Sequence, residues 1–429
     1  MKKFTIDISP LKKYRDFRLL WTSGLISRFG SMMTYVAMPF QIKLLTNSYL
    51  AVSLMGAIEI IPLVIFGLYG GVLADSVDRK KMIWITEGIA LFISLGLFVN
   101  SLLPHPHLVA LYVAAALFSA VNGLHSPSAG SILPRMVSHG DLPNASALMS
   151  LQGQFGVITG PAVAGILIST VNVSAGYLVD VISYIASVAL LLRIQSFPPN
   201  EKNESILETP IKSLVAGVKY AASRRDLLGT YVVDLAAMFF AMPNALYPFW
   251  ADQIHARWAL GFFYASGTVG ALFVTLTSRW INTYKFHGRA VLFAALGWGA
   301  AISFAGYFTS LPLIIFFLAV AGAADMVSAL FRSAIWNQSI PDSYRGRLAG
   351  IELLSYSVGP LGGQMRAGSM AALTSLRTSV ISGGLLCIGV VSIAGTSLKK
   401  FRNYDVTTNP FAIRQREVRE METGKSFGE

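Results

Sequence analysis

The chain has 429 residues, 54% of them hydrophobic and only 13% charged, about half the charged share of an average soluble domain. That composition excludes an ordinary soluble globular protein, and a single cysteine, Cys387, excludes an internal disulfide. The net charge of +12 collects in loops between alternate apolar stretches, so it follows the positive-inside rule and no nucleic-acid partner is expected.

A helix needs roughly 20 mainly apolar residues to cross about 30 Å of hydrocarbon, where no water satisfies a free backbone group. The apolar segments lack the alternation of barrel strands, which predicts an all-α integral membrane protein. Charged or Pro/Gly-rich breaks give twelve stretches: 18–44, 50–74, 82–102, 107–133, 144–170, 174–194, 227–250, 259–280, 290–309, 312–335, 347–372 and 376–397.

Lys12, Lys13, Arg15 and Arg18 precede the first stretch and Arg79, Lys80 and Lys81 follow the second, whereas the turns at 102–107 and 169–174 carry no Lys or Arg. Both termini are therefore expected in the cytoplasm. The positive N-terminus leads into an apolar run too long for a signal peptide, so it is expected to be retained.

The polar interruption at 195–226 divides the stretches six and six, giving bundles at 1–194 and 227–398 and a cytoplasmic tail at 399–429. Within it, Leu214, Val215, Val218 and Ala222 share one helical face, as in an interfacial helix on lipid or an ordinary linker helix. "VITGPAVAGIL" (157–167) in the fifth stretch has a counterpart, "YSVGPLGGQMR" (356–366), in the eleventh, which predicts two six-helix repeats.

The stretch "GGVLADSVDRKK" (70–81) closes the second span with small residues, an acid and then cations. It resembles the signature of the major facilitator superfamily, with Gly71, Leu73, Ala74, Asp75, Arg79 and Lys80 matching, and with Ser76 and Asp78 departing from it. The resemblance implies the twelve-helix facilitator fold and a cytoplasmic gate latch. In it Asp75 meets the start of the eleventh helix, where Arg345 and Arg347 add charge to the dipole. Arg79, Lys80 and Lys81 serve equally as positive-inside anchors. Gly160-Pro161, with Gly359-Pro360 in the second half, resembles the exporters' fifth-helix motif, and bending with close packing is an equal account.

"LYPFWAD" (246–252), "GFFYASGTVGAL" (261–272) and "YRGRLAGI" (344–351) resemble the enterobactin-exporter branch of that superfamily. The branch exports catecholate siderophores, and related members export macrolides, by proton antiport. The resemblance implies a monomer in a bacterial cytoplasmic membrane, taking a small-molecule substrate and protons, with no cofactor and no metal. The sequence carries no His-Glu-x-x-His zinc pattern, and no enzyme chemistry is expected. A transport-inactive sensor or scaffold using the tail "RQREVREMETGK" (414–425) is the alternative from another class, although that segment reads as disordered or as a solvated helix.

Ionisable groups inside spans are expensive and mark function by default. Arg28 and Tyr247 are expected to bind substrate, and Glu59, Asp234 and Asp325 to carry the proton. Permanent pairing, such as Arg28 with Glu59, is the competing expectation, and Arg332 is expected to snorkel near the cytoplasmic face. Asp180 and Glu87, near the starts of their stretches, are expected to be solvated or capping and are not site candidates. Pro243 and Pro248 bend the seventh span, and its aromatic residues line a cavity or form an interfacial belt.

Overall fold

The structure, a computed structural model, describes the backbone at 7–197 and 210–423. Side chains are described there except at 71–76, 127–131, 139, 210–214, 279, 282, 342–347, 349–354, 356, 419 and 422–423. Among the described residues every regular element is helical. A short α1 (Ser9–Lys13) leads into α2 (Arg15–Thr46), α3 (Tyr49–Ser76), α4 (Arg79–Leu102), α5 (Leu108–Ile132), α6 (Leu142–Thr170) and α7 (Val173–Leu191). Then follow α8 (Pro210–Ser223), α9 (Arg225–Phe240), α10 (Tyr247–Gln253), α11 (Leu260–Leu276), α12 (His287–Tyr307) and α13 (Leu311–Ser339). Last come α14 (Asp342–Leu373), α15 (Leu376–Ser397), α16 (Lys399–Arg402) and α17 (Pro410–Thr423).

Among the described residues ten segments are long and apolar enough to cross a membrane, the run from Arg225 to Gln253 counting as one. The helices α2 and α14 are longer, at 32 residues each, but more charged. The seventh apolar stretch is not one bent helix. It ends as α9 at Phe240 and resumes as α10 at Tyr247, because Pro243 and Pro248 supply no N–H to an unbroken ladder. Local chemistry sets other helix ends: Asn172 and Ser375 accept from the N–H of Ala175 and Thr378 and so cap α7 and α15.

The chain forms two compact units, residues 1–207 with 245–265 and residues 208–244 with 266–429. In the first, α2 packs against α6 and α7, α4 against α5 and α7, and α3 against α5. Small residues permit the last contact, since a Cβ on Gly123 would come within 2.7 Å of the Gly67 nitrogen. Phe17, Leu20, Ile83, Leu148 and Leu191 form an apolar cluster at one end of this unit. The segment 245–265 docks on it through α10 against α2 and the turn at 257–259 against α6. The contact is so close that a Cβ on Gly261 would overlap the Pro161 carbonyl oxygen.

In the second unit α12 packs on α13 and α15, and α14 packs on α8, α9 and α15. The linker helix α8 leaves Val215, Val218 and Lys219 exposed and buries Gly217 and Ala221. Past α15 the chain turns back: Phe401 and Tyr404 are 0% and 1% exposed. Phe401 fills the space left by Gly229 and Gly288, and Tyr404 stacks on His287 with ring centroids 6.1 Å apart. Asn409 donates to Asp226, which is held by Arg224, whose guanidinium lies 3.4 Å from the Phe411 ring centroid. Residues 414–418 then continue α17 as a largely exposed helix. The tail is thus solvated only beyond its docked first part.

Replacing a fully buried phenylalanine by alanine costs about 3–5 kcal/mol. Phe401→Ala is accordingly expected to lower the thermal unfolding midpoint of the detergent-purified protein by several degrees, whereas Met421→Ala, on the exposed helix, leaves it unchanged.

Candidate functional site

The 70–81 loop is the first candidate. Gly71 and Asp75 lie on the last turns of α3, and Arg345 and Arg347 at the start of α14. Their side chains fall outside the described residues. What is described is the start of α4. Asp78, one of the two departures from the signature, caps it by accepting from the N–H groups of Lys80 (2.8 Å) and Lys81 (3.2 Å). It also accepts from the Ser196 hydroxyl. Burial opposes ionisation of this carboxyl, but the Ser196 hydroxyl and the N–H groups of Lys81, Phe197 and Lys80 prevail and hold it below its ordinary range. Lys80 Nζ donates to the Leu192 carbonyl at 3.2 Å, beside the end of α7 where a helix carries partial negative charge. Arg79 is half-buried and its N–H donates to the Phe197 carbonyl, while Lys81 is exposed.

The intramembrane charges divide by unit. In the second, Asp234, 4% exposed, is ion-paired with Arg332 and accepts from the Ser355 hydroxyl at 2.8 Å. Asp325 lies 3.9 Å from the same guanidinium and is 40% exposed. Two of the expected proton carriers therefore share one arginine. Arg332 is buried rather than snorkelling to an interface, because the buried Asp234 gives it a partner inside the helix packing.

In the first unit Arg28 is exposed on α2, its aliphatic stem passing Gly156, where a Cβ would come within 2.8 Å of Arg28 Cγ. Among the described residues no ion pair joins it to Glu59. It acts electrostatically on Glu87, His125 and Tyr184 instead. Glu59 is half-buried on α3, and its backbone carbonyl accepts from Ser119 at 2.7 Å. Gly160 packs on Met32, where a Cβ would come within 2.5 Å of the Met32 Cβ, and Gly359 packs on Met238 at 3.1 Å. Pro161 and Pro360 lie inside α6 and α14. Both Gly-Pro pairs thus sit at tight helix contacts.

Tyr247 opens α10 and is 5% exposed, its ring 4.9 Å from that of Tyr264 and 5.7 Å from that of Phe263. Tyr35 from α2 meets Tyr264 edge-on at 5.4 Å. Close to this cluster the buried Lys43, at the end of α2, forms an ion pair with Asp252, which Arg257 also holds through Nε at 2.5 Å. The sequence reading did not single out Lys43 or Asp252.

It also set aside Glu87 and Asp180, and here the structure corrects it. Asp180 is 0% exposed and Glu87 6%. They are neither solvated nor capping, since both point into the packing of α2, α4 and α7. Asp180 Oδ2 accepts from Thr34 at 2.5 Å and Ser94 at 2.7 Å; Glu87 accepts from Ser27 at 3.1 Å and from Ser187. The signal was present in the sequence. On α7 Tyr177, Asp180, Ser183, Tyr184 and Ser187 recur at helical spacing within an otherwise apolar segment.

Truncating one member of a buried ion pair costs about 3–5 kcal/mol, because the partner charge is stranded. Arg332→Met should destabilise the detergent-solubilised protein by that amount in chemical unfolding, and Asp234→Leu added to it should restore most of the loss. Losing an N-cap costs about 1 kcal/mol, so Asp78→Ala should lower the unfolding midpoint near neutral pH. The folded carboxyl ionises below its unfolded value of about 3.9, so its contribution is complete above that value and is lost as pH falls through the depressed one. The difference between wild type and Asp78→Ala should therefore be flat from about pH 5 upward and shrink below about pH 4 in pH-resolved melts.

Comparison with known proteins places this geometry. Residues 5–421 match the model of a family described as transmembrane secretion effector. The chain is 28% identical over 409 residues to the enterobactin exporter of Escherichia coli O1:K1, covering 94% of this chain and 97% of that protein. The enterobactin exporter of Shigella boydii serotype 18 matches equally. Among solved structures, a mutant of the nucleoside transporter NupG superposes with a TM-score of 0.73 at 13% identity, covering 89% of this chain and 99% of that one. A bacterial homologue of the lysosomal transporter Spinster gives 0.72 at 13%, over 94% and 100%. A bacterial homologue of the iron transporter ferroportin gives 0.68 at 14%, over 90% and 98%. The chain is a multi-pass membrane protein of the transmembrane secretion effector family, within the major facilitator superfamily.

Proposed function

We propose that this protein exports a catecholate siderophore or a similar bulky metabolite across a bacterial cytoplasmic membrane, by proton antiport and alternating access. The observation that carries the reading is the similarity to enterobactin exporters along almost the whole of both chains. The relatives described above are transporters, which supports a transport role.

On this reading α2 and α14 cross the membrane with the ten more apolar segments, which makes twelve spans in two six-helix halves with both termini cytoplasmic. The charges on α2 and α14 are then functional rather than disqualifying. The protein works as a monomer. Arg28 is the cation offered to an anionic, hydroxyl-rich substrate, its stem packed on Gly156 and its head near Glu87 and His125. Tyr247 contributes an aromatic wall with Tyr264 and Tyr35. Gly71, Asp75, Arg345 and Arg347 form the cytoplasmic latch. Asp234, bound to Arg332, is held structurally, whereas Glu59 and the more exposed Asp325 stay available for exchange. The aromatic cluster around Tyr247 suits a macrolide as well, which makes drug efflux by the same mechanism the second reading.

Inverted membrane vesicles loaded by an inward-acidic gradient test this directly, with labelled enterobactin and a labelled macrolide as probes. Gradient-dependent accumulation of enterobactin is expected, and Asp75→Asn should abolish it while inserting normally. Accumulation of the macrolide alone would select drug efflux. Accumulation of neither, with folded protein present, would overturn export of both classes and favour a sensor or scaffold.

A further inference from the structure

The first unit contains a polar seam that the sequence-predicted site residues do not include. It runs along one face of α7 and is answered residue by residue from α2 and α4. Tyr177 donates to Gln41 at 2.7 Å; Asp180 takes Thr34 and Ser94; Tyr184 lies 2.9 Å from the Ser31 hydroxyl; Ser187 and Ser27 hold Glu87; and Thr86, beside Glu87, lies 3.0 Å from His125 Nδ1. The two acids stand at equivalent steps. Asp180 and Ser187 are seven residues apart on α7, and so are Glu87 and Ser94 on α4, which separates the stations by roughly 10 Å along the helices.

Two features set these carboxyls apart from those of the second unit. Among the described residues neither has a cation within ion-pair distance, and their side-chain partners are hydroxyls. Leaving an ionised carboxylate so deep without a counter-charge costs several kcal/mol, whereas a protonated carboxyl, able to donate and accept, suits a shell of hydroxyls. Second, Asp180 Oδ1 is buried and receives no well-aligned hydrogen bond; it faces Gly30 together with the Ser183 hydroxyl, which donates to the Asp180 backbone carbonyl. An open oxygen in a fully buried carboxyl is a position that a proton can occupy and leave.

We infer that Asp180 and Glu87 are two further proton-binding stations of the transport cycle, beside Glu59 and Asp325, set along the hydroxyl seam of α2, α4 and α7. This deepens the antiport reading and rests on it for the coupling to export. Each station takes one proton from water on one side and returns it to water on the other; between them stand the Tyr184 and Ser31 hydroxyls, 2.9 Å apart, with Ser31 donating to the Ser27 carbonyl. The other titratable or charged groups facing the seam are Arg28 on α2, His125 on α5 and Tyr177 and Tyr184 on α7. The neighbouring α6 carries none. Arg28 acts electrostatically on Glu87, so a ligand that engages Arg28 alters the field at that station.

The test uses the full-length protein purified into lipid. Infrared difference spectra across a pH titration should show a buried carboxylic-acid C=O stretch that fades on alkalinisation, with Asp180→Asn and Glu87→Gln each deleting part of it. In proteoliposomes, Asp180→Asn should lower accumulation of enterobactin driven by a pH gradient about tenfold while leaving substrate counterflow within about twofold. Retained counterflow also shows that the variant is folded. Undiminished gradient-driven accumulation in both variants, a carboxyl band indifferent to both, or a sodium gradient replacing the pH gradient would each overturn the assignment. Wild-type protein that moves no enterobactin, yet shows the titrating band lost in the variants, would overturn the substrate reading and leave the proton stations standing.

Discussion

The cost of holding charge away from water governs this structure more than any other interaction. A chain with so few charged residues still places acids and bases well inside its apolar helices, and each must be answered from a neighbouring helix. The two units answer differently. In the second, Arg332 gathers Asp234 and Asp325, and Arg224 gathers Asp226 with the carbonyl of Ser339. In the first, Lys43 finds Asp252, but Asp180 and Glu87 are met by hydroxyls alone. A close, buried pair with a base, as in Asp234 with Arg332, fixes a protonation state; solvation by hydroxyls leaves it free to change. That difference separates scaffold from machinery more sharply than depth in the membrane does.

Much of the fold was legible in the sequence, because a span is a local object set by length and apolarity. The limits came where facing mattered. Counting from the nearest polar break placed Asp180 and Glu87 close to an interface. Yet α4 begins at Arg79, a turn earlier than the apolar stretch, so Glu87 is its ninth residue and roughly 12 Å in. The recurring polar positions on α7 were visible as a pattern, but their partners on α2 and α4 lie far away in the chain. For the same reason Asp234 looked like a free acid until Arg332 was seen beside it.

The tail illustrates the converse. Net charge past residue 398 suggests solvation, and α17 is indeed largely exposed beyond Ala412. What the composition hides is the spacing of Phe401, Tyr404 and Phe411, three aromatic anchors whose sockets are Gly229 with Gly288, His287 and Arg224. Aromatic residues scattered among charges are docking points when glycines elsewhere leave room for them. The break at 241–246 was readable only in part, since two prolines announce an interruption without stating that the following short helix joins a different unit.

That interleaving bears on biogenesis. The first unit is completed only by residues 245–265, so during synthesis from the N-terminus it stays unfinished while 208–244, which belong to the other unit, are made and inserted. Throughout that interval Lys43 awaits Asp252, and the surface of α6 that receives Gly261 is uncovered. A nascent chain arrested before residue 252 therefore carries an uncompensated ammonium and an open glycine-lined groove, features by which membrane quality control can tell a half-made transporter from a finished one.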